Sequence, residues 1–143
     1  DIPFFIHNED SLLRGIGEIN IKTLFPKYYF LIIKPNINCS TNFMYKQINL
    51  DNLNYDPNFD TDEINEFDNG NDFEIIAKDK YHEINEIFRF MQSLPDAIFT
   101  RLTGSGSCIF SAFESKITAD NSLIVSKKKF PELWSAVVEN NFL

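Results

Sequence analysis

The feature that most constrains the fold is a pair of apolar segments joined by five small residues. Ile98 to Leu102 and Cys108 to Phe113 are rich in β-branched and aromatic residues, and Thr103-Gly104-Ser105-Gly106-Ser107 separates them. Side chains of this kind favour strands, and glycine permits the positive φ that a tight turn requires. The segment therefore predicts two adjacent strands joined by a turn of glycines and hydroxyl residues.

Two further β patterns precede this pair. Leu12 to Thr23 predicts a hairpin around Gly15-Ile16-Gly17, where glycine can form the turn. Tyr28 to Ile33 is an unbroken run of aromatic and aliphatic residues that ends at Lys34-Pro35. Such a run is typical of a strand that is buried on both faces.

Helical patterns alternate with these strands. Thr41 to Ile48 predicts a short helix with Ser40 or Thr41 at its N-cap, because a hydroxyl there accepts an orphan backbone N–H. Asn71-Asp72-Phe73-Glu74 has the spacing of a capping box, and the apolar spacing after it predicts one long helix through Met91.

A helix around Ala119 to Lys128 and a last strand from Leu133 to Val138 complete the prediction. The resulting order is β-β-β-α-α-β-β-α-β, with adjacent hairpins and segregated helices. This order favours an α+β sandwich.

Composition excludes several classes of partner. The 143 residues fit one domain and carry a net charge of −8, so duplex nucleic acid and anionic membranes are not expected partners. The longest apolar run, Tyr28 to Ile33, is far shorter than the roughly 20 residues of a membrane span. Cys39 and Cys108 are too few for a disulfide framework or a zinc site, and we expect reduced thiols in a cytoplasmic protein.

The acidic, asparagine-rich stretch from Asn49 to Asn71 predicts a loop. Its carboxylates suggest a calcium site, but an EF-hand needs Gly at the sixth position and Glu at the twelfth. Counted from Asp60, those positions hold Asn65 and Asn71. We therefore predict a solvated loop and no metal site.

The turn from Gly104 to Ser107 is the strongest candidate for a chemical role. Its backbone N–H groups can approach an anion because glycines place no Cβ in the way. It lacks the Gly-Lys-Ser/Thr ending of a Walker A loop, so a plain tight hairpin remains an open alternative.

Five motifs, in order and with matching spacing, carry a family resemblance. They are Asp1-Ile2-Pro3-Phe4-Phe5, Gly15-Ile16-Gly17-Glu18, the segment from Lys34-Pro35 through Ser40-Thr41 to Tyr45-Lys46, Asn71-Asp72-Phe73-Glu74, and Arg101 to Phe110. Together they resemble the C-terminal half of the 4-diphosphocytidyl-2-C-methyl-D-erythritol kinases, a family of GHMP small-molecule kinases. The resemblance implies an antiparallel sheet with helices packed on one face, a ferredoxin-like sandwich. It also implies CDP-methylerythritol and ATP as substrates, with Mg²⁺ expected, in the non-mevalonate isoprenoid pathway.

The resemblance also implies site residues. Asp1 matches the family's catalytic base, which takes the proton from the methylerythritol 2-hydroxyl as that oxygen attacks the γ-phosphoryl group of ATP. Tyr45 matches the aromatic position that stacks on cytosine, and Thr41 and Lys46 fall on neighbouring substrate-side positions. Gly104, Ser105, Gly106 and Ser107 match the loop beside the ATP phosphates. Without the resemblance, Asp1 is a frayed terminal residue, Tyr45 a half-buried helix aromatic and Lys46 a surface charge.

The family's N-terminal half, with its ATP phosphate loop, has no counterpart in these residues. We therefore expect residues 1–143 to form the C-terminal, substrate-side domain, opening at what reads as a cut end. By itself this piece is expected to lack kinase activity. The alternative is a catalytically inactive, stand-alone α+β module that binds a small ligand or another protein.

Overall fold

A computed structural model describes residue 6 and residues 11–22, 26–49 and 70–140. The strands of this part of the chain are β1 (Ser11–Arg14), β2 (Ile19–Lys22), β3 (Tyr29–Lys34), β4 (Phe99–Leu102), β5 (Ile109–Phe113) and β6 (Trp134–Glu139). The helices are α1 (Thr41–Gln47), α2 (Phe73–Lys80), α3 (His82–Gln92) and α4 (Lys116–Lys129).

The predicted N-terminal hairpin is confirmed. Strands β1 and β2 pair antiparallel, with Arg14 opposite Ile19. Gly15 and Gly17 have φ angles of +66° and +94°, a region that few other residues adopt without strain. The Glu18 carboxylate accepts a hydrogen bond of 2.6 Å from the Ile16 N–H and closes the turn.

The second sheet has four strands in the order β4-β5-β3-β6, and all neighbours are antiparallel. Counting from β3, the strands follow a β-α-β-β-α-β order in which three helices, α1 to α3, fill the first helical connection, and the first and third strands lie in the centre. This is the ferredoxin-like arrangement. It confirms the expected α+β fold and the strand pair flanking the glycine- and serine-rich turn.

One face of the four-stranded sheet carries the core. Leu31 of β3 lies opposite Ser111 of β5 and Val137 of β6, so these three side chains share a face. Helices α3 and α4 pack on this face. The fully buried side chains between the sheet and α3 are Leu31, Ile33, Ile109, Phe113, Ile84, Ile87, Phe88 and Met91. Each contributes about 1.5–3 kcal/mol relative to exposure.

The opposite face of the sheet is aromatic. Phe30, Phe99 and Phe110 pack edge to face, with ring centroids 5.7 Å apart for Phe30 and Phe110 and 6.1 Å apart for Phe99 and Phe110. Tyr28 joins them at 6.2 Å from Phe30. This face explains why the β3 run is continuously apolar, but the prediction of burial on both faces holds only in part, because the aromatic face of β3 is half-buried.

The prediction of one long helix from residue 72 to Met91 is wrong. The backbone at Tyr81 is extended, with φ −119° and ψ 98°, and divides the segment into α2 and α3. The Tyr81 N–H still bonds to the Ala77 carbonyl, which ends α2, while its own carbonyl accepts from Asn85 in α3. The apolar spacing from Ile84 to Met91 therefore belongs to α3 alone.

The remaining predicted helices and strands are present, with small shifts of their boundaries. Helix α1 begins after Ser40, whose hydroxyl accepts from the Phe43 N–H at 3.4 Å. Helix α4 begins at Lys116, before the predicted Ala119. Cys39 and Cys108 form no disulfide. Residues 50–69 of the predicted acidic loop lie outside the described residues. Among the described helices, none has the length and apolar character to cross a bilayer.

Candidate functional site

The Gly104–Ser107 loop is a closed turn at one end of the sheet. The Thr103 N–H bonds to the Cys108 carbonyl at 2.9 Å, and the Gly106 N–H bonds to the Thr103 carbonyl at 2.8 Å. Gly104 and Gly106 have φ angles of +47° and +95°. Both conformations favour glycine, which accounts for the two glycines of the loop.

The outer side of the loop is open. A Cβ built on Gly104 meets no atom within 4 Å. Within the described residues, the backbone N–H groups of Gly104 and Ser105 donate no hydrogen bond. Two adjacent N–H groups without an acceptor, next to a residue that lacks a side chain, can bind a phosphate oxygen.

The inner side of the loop is packed. A Cβ on Gly106 would lie 3.1 Å from Cys39 Sγ and 3.4 Å from Leu102 Cδ1. Cys39 is buried in the connection between β3 and α1, and burial raises the pKa of its thiol. Gly106 therefore allows the loop to lie against this connection, while Gly104 keeps the outer side clear.

Helix α1 begins at this loop. The Thr41 hydroxyl lies 2.8 Å from the Ser105 hydroxyl, and the two form a hydrogen bond. The Ser40 N-cap fixes the start of the helix. The first turn of α1 and the tip of the glycine- and serine-rich loop are thus in direct contact.

Tyr45 lies one turn further along α1 and is 63% exposed. Its ring packs edge to face on Phe73, with centroids 5.0 Å apart and an interplanar angle of 86°. This contact orients the ring and leaves most of its surface open. Lys46, in the last turn of α1, is exposed.

Asn71 and Glu74, at the start of α2, are site residues that sequence reasoning missed. The Asn71 amide donates to the carbonyls of Leu102 and Gly104, at 2.9 and 2.7 Å. The Glu74 carboxylate accepts from the Leu102 N–H at 3.0 Å. The capping-box spacing identified the helix start, but it suggested that Glu74 returns to its own helix N-terminus. A local pattern carries no signal for a partner on a distant strand.

The structure brings most of the candidate residues together. Thr41, Tyr45 and the loop from Gly104 to Ser107 surround the start of α2, and Lys46 follows Tyr45 on α1. Asp1 lies outside the described residues, so its role stays a prediction. Within the described parts of the chain, no three His, Cys, Asp or Glu side chains form a metal-binding group.

Comparison with known proteins shows where the chain is similar to a known family. Residues 57–122 match the model of the GHMP kinases C-terminal family. The match covers α2 to β5 and most of the core, including the loop and the start of α2. Residues 57–122 of this chain therefore carry the similarity to the C-terminal domain of GHMP kinases.

Curated relatives narrow the similarity to one kind of GHMP kinase. A 4-diphosphocytidyl-2-C-methyl-D-erythritol kinase of Blochmanniella pennsylvanica is 35% identical over 116 residues, which are 81% of this chain and 38% of the relative. The enzyme of the same name from Pelagibacter ubique is 32% identical over 139 residues, covering 94% of this chain and 49% of the relative. The chain thus spans less than half the length of these relatives.

Solved structures agree on the fold. A crystal structure of 4-(cytidine 5'-diphospho)-2C-methyl-D-erythritol kinase superposes with a TM-score of 0.79 at 20% identity, over 99% of this chain and 54% of that one. A homoserine kinase from Cytophaga hutchinsonii superposes with a TM-score of 0.61 at 16% identity, over 99% of this chain and 50% of that one. The ferredoxin-like fold is shared with both kinases.

Proposed function

We propose that this chain is the substrate-side domain of a kinase that phosphorylates the 2-hydroxyl of 4-diphosphocytidyl-2-C-methyl-D-erythritol with ATP. The substrate is inferred from the names of the curated relatives, and the roles of the residues are inferred from the geometry of the site. The observation that carries the proposal is the 2.8 Å contact between Thr41 and Ser105. It joins the helix that carries Tyr45 to the loop that can receive phosphate.

The loop suits an anionic group that changes its charge distribution during transfer. The N–H groups of Gly104 and Ser105 are held by the turn, so they need no reorganisation when the γ-phosphoryl group moves. In phosphoryl transfer, positioning and electrostatic stabilisation dominate catalysis. In this proposal the loop positions phosphate oxygens through these two N–H groups.

Tyr45 suits the other end of the substrate. An exposed aromatic face can stack on a nucleobase, which contributes about 1–3 kcal/mol per base. Phe73 packs edge to face against Tyr45, with ring centroids 5.0 Å apart, so the Tyr45 ring is oriented before any base binds. In the proposal Tyr45 stacks on cytosine, while Thr41 and Lys46 lie beside the ribose and diphosphate.

Asp1 is proposed as the base that orients the attacking 2-hydroxyl and accepts its proton. The other reactant is ATP, bound with Mg²⁺ in the expected mechanism. The described groups around the loop are amides and hydroxyls, and the Glu74 carboxylate is engaged by Leu102 and Lys78. These groups do not fit a Mg²⁺ site, so no step is assigned to a metal on this side of the cleft.

The activity needs more than residues 1–143. We propose that phosphoryl transfer takes place in a cleft between this domain and an ATP-binding half of the kind found in the family. The piece alone is therefore expected to be inactive. We also propose that the protein acts in the cytoplasm, where both of its small substrates occur.

The test is an ADP-release assay of the complete gene product with CDP-methylerythritol. We expect turnover that Asp1→Asn lowers by about 100- to 10,000-fold, the range of a lost general base. The matched control is Asp96→Asn, an exposed residue whose φ of 61° suits Asn equally well. Absence of turnover, or equal activity of Asp1→Asn and Asp96→Asn, would refute the proposal in favour of a catalytically inactive binding module.

A further inference from the structure

We propose that Asn71 and Glu74 form a clasp that positions the Gly104–Ser107 loop for phosphoryl transfer. The two residues start α2 and hold the backbone where β4 becomes the loop. The inference rests on the proposed function, since it assigns the clasp to the same site. Neither residue needs to touch a substrate in order to act.

The need for a clasp follows from the position of β4. In the described part of the chain this strand is at the edge of the sheet, so one row of its backbone groups has no strand beside it there. At Leu102 the outward N–H bonds to Glu74 and the outward carbonyl bonds to Asn71. Two side chains from α2 therefore take the place of a neighbouring strand at the last residue before the loop.

Asn71 extends this grip into the loop itself. One side-chain nitrogen donates to both the Leu102 and the Gly104 carbonyls, at 2.9 and 2.7 Å. With both carbonyls drawn toward Asn71, the peptide orientation at Gly104 is fixed. The amide thus determines where the neighbouring Ser105 N–H points, because peptide units are planar.

Glu74 is itself firmly held. The residue is 9% exposed, and a buried carboxylate is costly unless hydrogen bonds and a counter-charge satisfy it. Leu102 and Lys78 supply these partners, the latter at 3.3 Å. The Lys78 ammonium also lies 3.5 Å from the centroid of the Phe88 ring, so the Glu74–Lys78 pair packs against the core.

The same segment positions the other end of the site. Phe73, between the two clasp residues, orients Tyr45, and the Thr41 hydroxyl holds Ser105 from the side of α1. The loop is thus held at Leu102 and Gly104 by α2 and at Ser105 by α1. The start of α2 therefore sets the spacing between the nucleobase platform and the phosphate loop.

The decisive variant is Asn71→Asp. Asp accepts hydrogen bonds from backbone N–H groups at a helix start as well as Asn does, so the bond from the Phe73 N–H at 2.9 Å can remain. The variant removes the donor to Leu102 and Gly104 and places a carboxylate oxygen against two carbonyls. A residue that served only to cap α2 would tolerate this change, whereas a clasp would not.

The experiment is steady-state kinetics of the complete gene product, combined with hydrogen exchange at Thr103 and Gly106, the two loop residues whose N–H groups are hydrogen-bonded. For Asn71→Asp we expect kcat to fall between about tenfold and 100-fold, the scale of a small misplacement. The KM for CDP-methylerythritol should change less than threefold, and exchange in the loop should accelerate. Glu74→Gln, whose amide oxygen can still accept from Leu102, should retain more activity than Glu74→Ala.

The matched control is Asn140→Ala. Asn140 also uses its side-chain amide to bridge distant backbone groups, accepting from the Tyr28 N–H at 2.7 Å and donating to the Pro26 carbonyl at 2.8 Å. Because it does so at the far end of the sheet, kcat should be unchanged. Wild-type kcat and wild-type loop exchange in Asn71→Asp would overturn the clasp. If no variant or wild-type protein phosphorylates CDP-methylerythritol, the proposed function fails, and loop exchange alone decides whether the clasp exists.

Discussion

The two ends of the four-stranded sheet use the same chemical device for different purposes. At one end, the Asn140 amide joins the end of β6 to the chain entering β3, through Pro26 and Tyr28. At the other end, the Asn71 amide joins the start of α2 to the chain leaving β4. Each is a side-chain amide that bonds to two backbone groups far away in sequence.

The difference lies in what each amide holds. Asn140 holds a strand entrance in an extended chain, beside the exposed ion pair of Lys27 and Glu139. Asn71 holds a loop with two positive-φ glycines and N–H groups open to a ligand. We conclude that an interaction pattern alone does not identify a functional residue. What distinguishes Asn71 from Asn140 is the loop beside it, whose backbone N–H groups are open to a ligand.

The largest expected effect is at Gly106. Gly106→Ala places a Cβ 3.1 Å from Cys39 Sγ at a φ of +95°, so strain and overpacking act together. We expect the free energy of unfolding to fall by about 3 kcal/mol in urea titration. In a Cys39→Ala background the loss should be smaller, since the contact with sulfur is gone. An equal loss in both backgrounds would show that the loop does not pack on Cys39.

Gly104→Ala is expected to separate stability from activity. The added methyl group meets no atom within 4 Å, so only the strain of the φ of +47° acts on folding. We expect a loss of about 1–2 kcal/mol in urea titration. Because the methyl group faces the open side of the loop, kcat/KM of the complete gene product should fall by more than this loss of stability explains. Unchanged kcat/KM would mean that phosphate does not approach Gly104.

The thiol behind the loop gives a smaller, pH-dependent effect. Burial raises the pKa of Cys39 above its ordinary value of 9.0, so the folded state disfavours the thiolate. This contribution to stability is fully present below pH 9.0 and is lost as the pH rises through the raised value. Alkylation of the native protein at pH 8, followed by peptide mass spectrometry, should therefore modify the half-buried Cys108 before Cys39. Faster modification of Cys39 would contradict its burial beneath the loop.

The smallest expected effect is at the opposite end of the sheet. The hydrogen bond to Glu139 raises the pKa of Lys27, but both partners are exposed, at 51% and 38%. Surface ion pairs of this kind contribute little. Lys27→Met should leave the melting temperature within experimental error, while Asn140→Ala lowers it. If the melting temperature of Lys27→Met were as low as that of Asn140→Ala, the ion pair and not the amide would stabilise this end of the sheet.

Local sequence patterns predicted much of the fold. Strands β3 and β5 follow from their β-branched and aromatic residues. Both turns follow from their glycines, which can adopt a positive φ. The Ser40 cap and the helix that begins shortly after Asn71 follow from short-range hydrogen bonding. All of these signals act between residues close in sequence, which is why they can be read without a structure.

The site's internal contacts could not be predicted in this way. Thr41 and Ser105 meet only because α1 and the β4–β5 turn are at the same end of the sheet. Glu74 accepts a hydrogen bond from Leu102, which lies 28 residues further along the chain, and nothing in the apolar periodicity marks this contact or the break at Tyr81. The resemblance to the kinase family named Thr41, Tyr45, Lys46 and the loop, but it gave no role to the clasp that joins them.

The most direct test of the account is a crystal structure of the complete gene product with CDP-methylerythritol and a non-hydrolysable ATP analogue. We expect cytosine to stack on Tyr45 and a phosphate oxygen to lie within hydrogen-bond distance of the Gly104 or Ser105 N–H, in one continuous cleft. Cytosine bound away from Tyr45, or phosphates remote from this loop, would contradict this expectation.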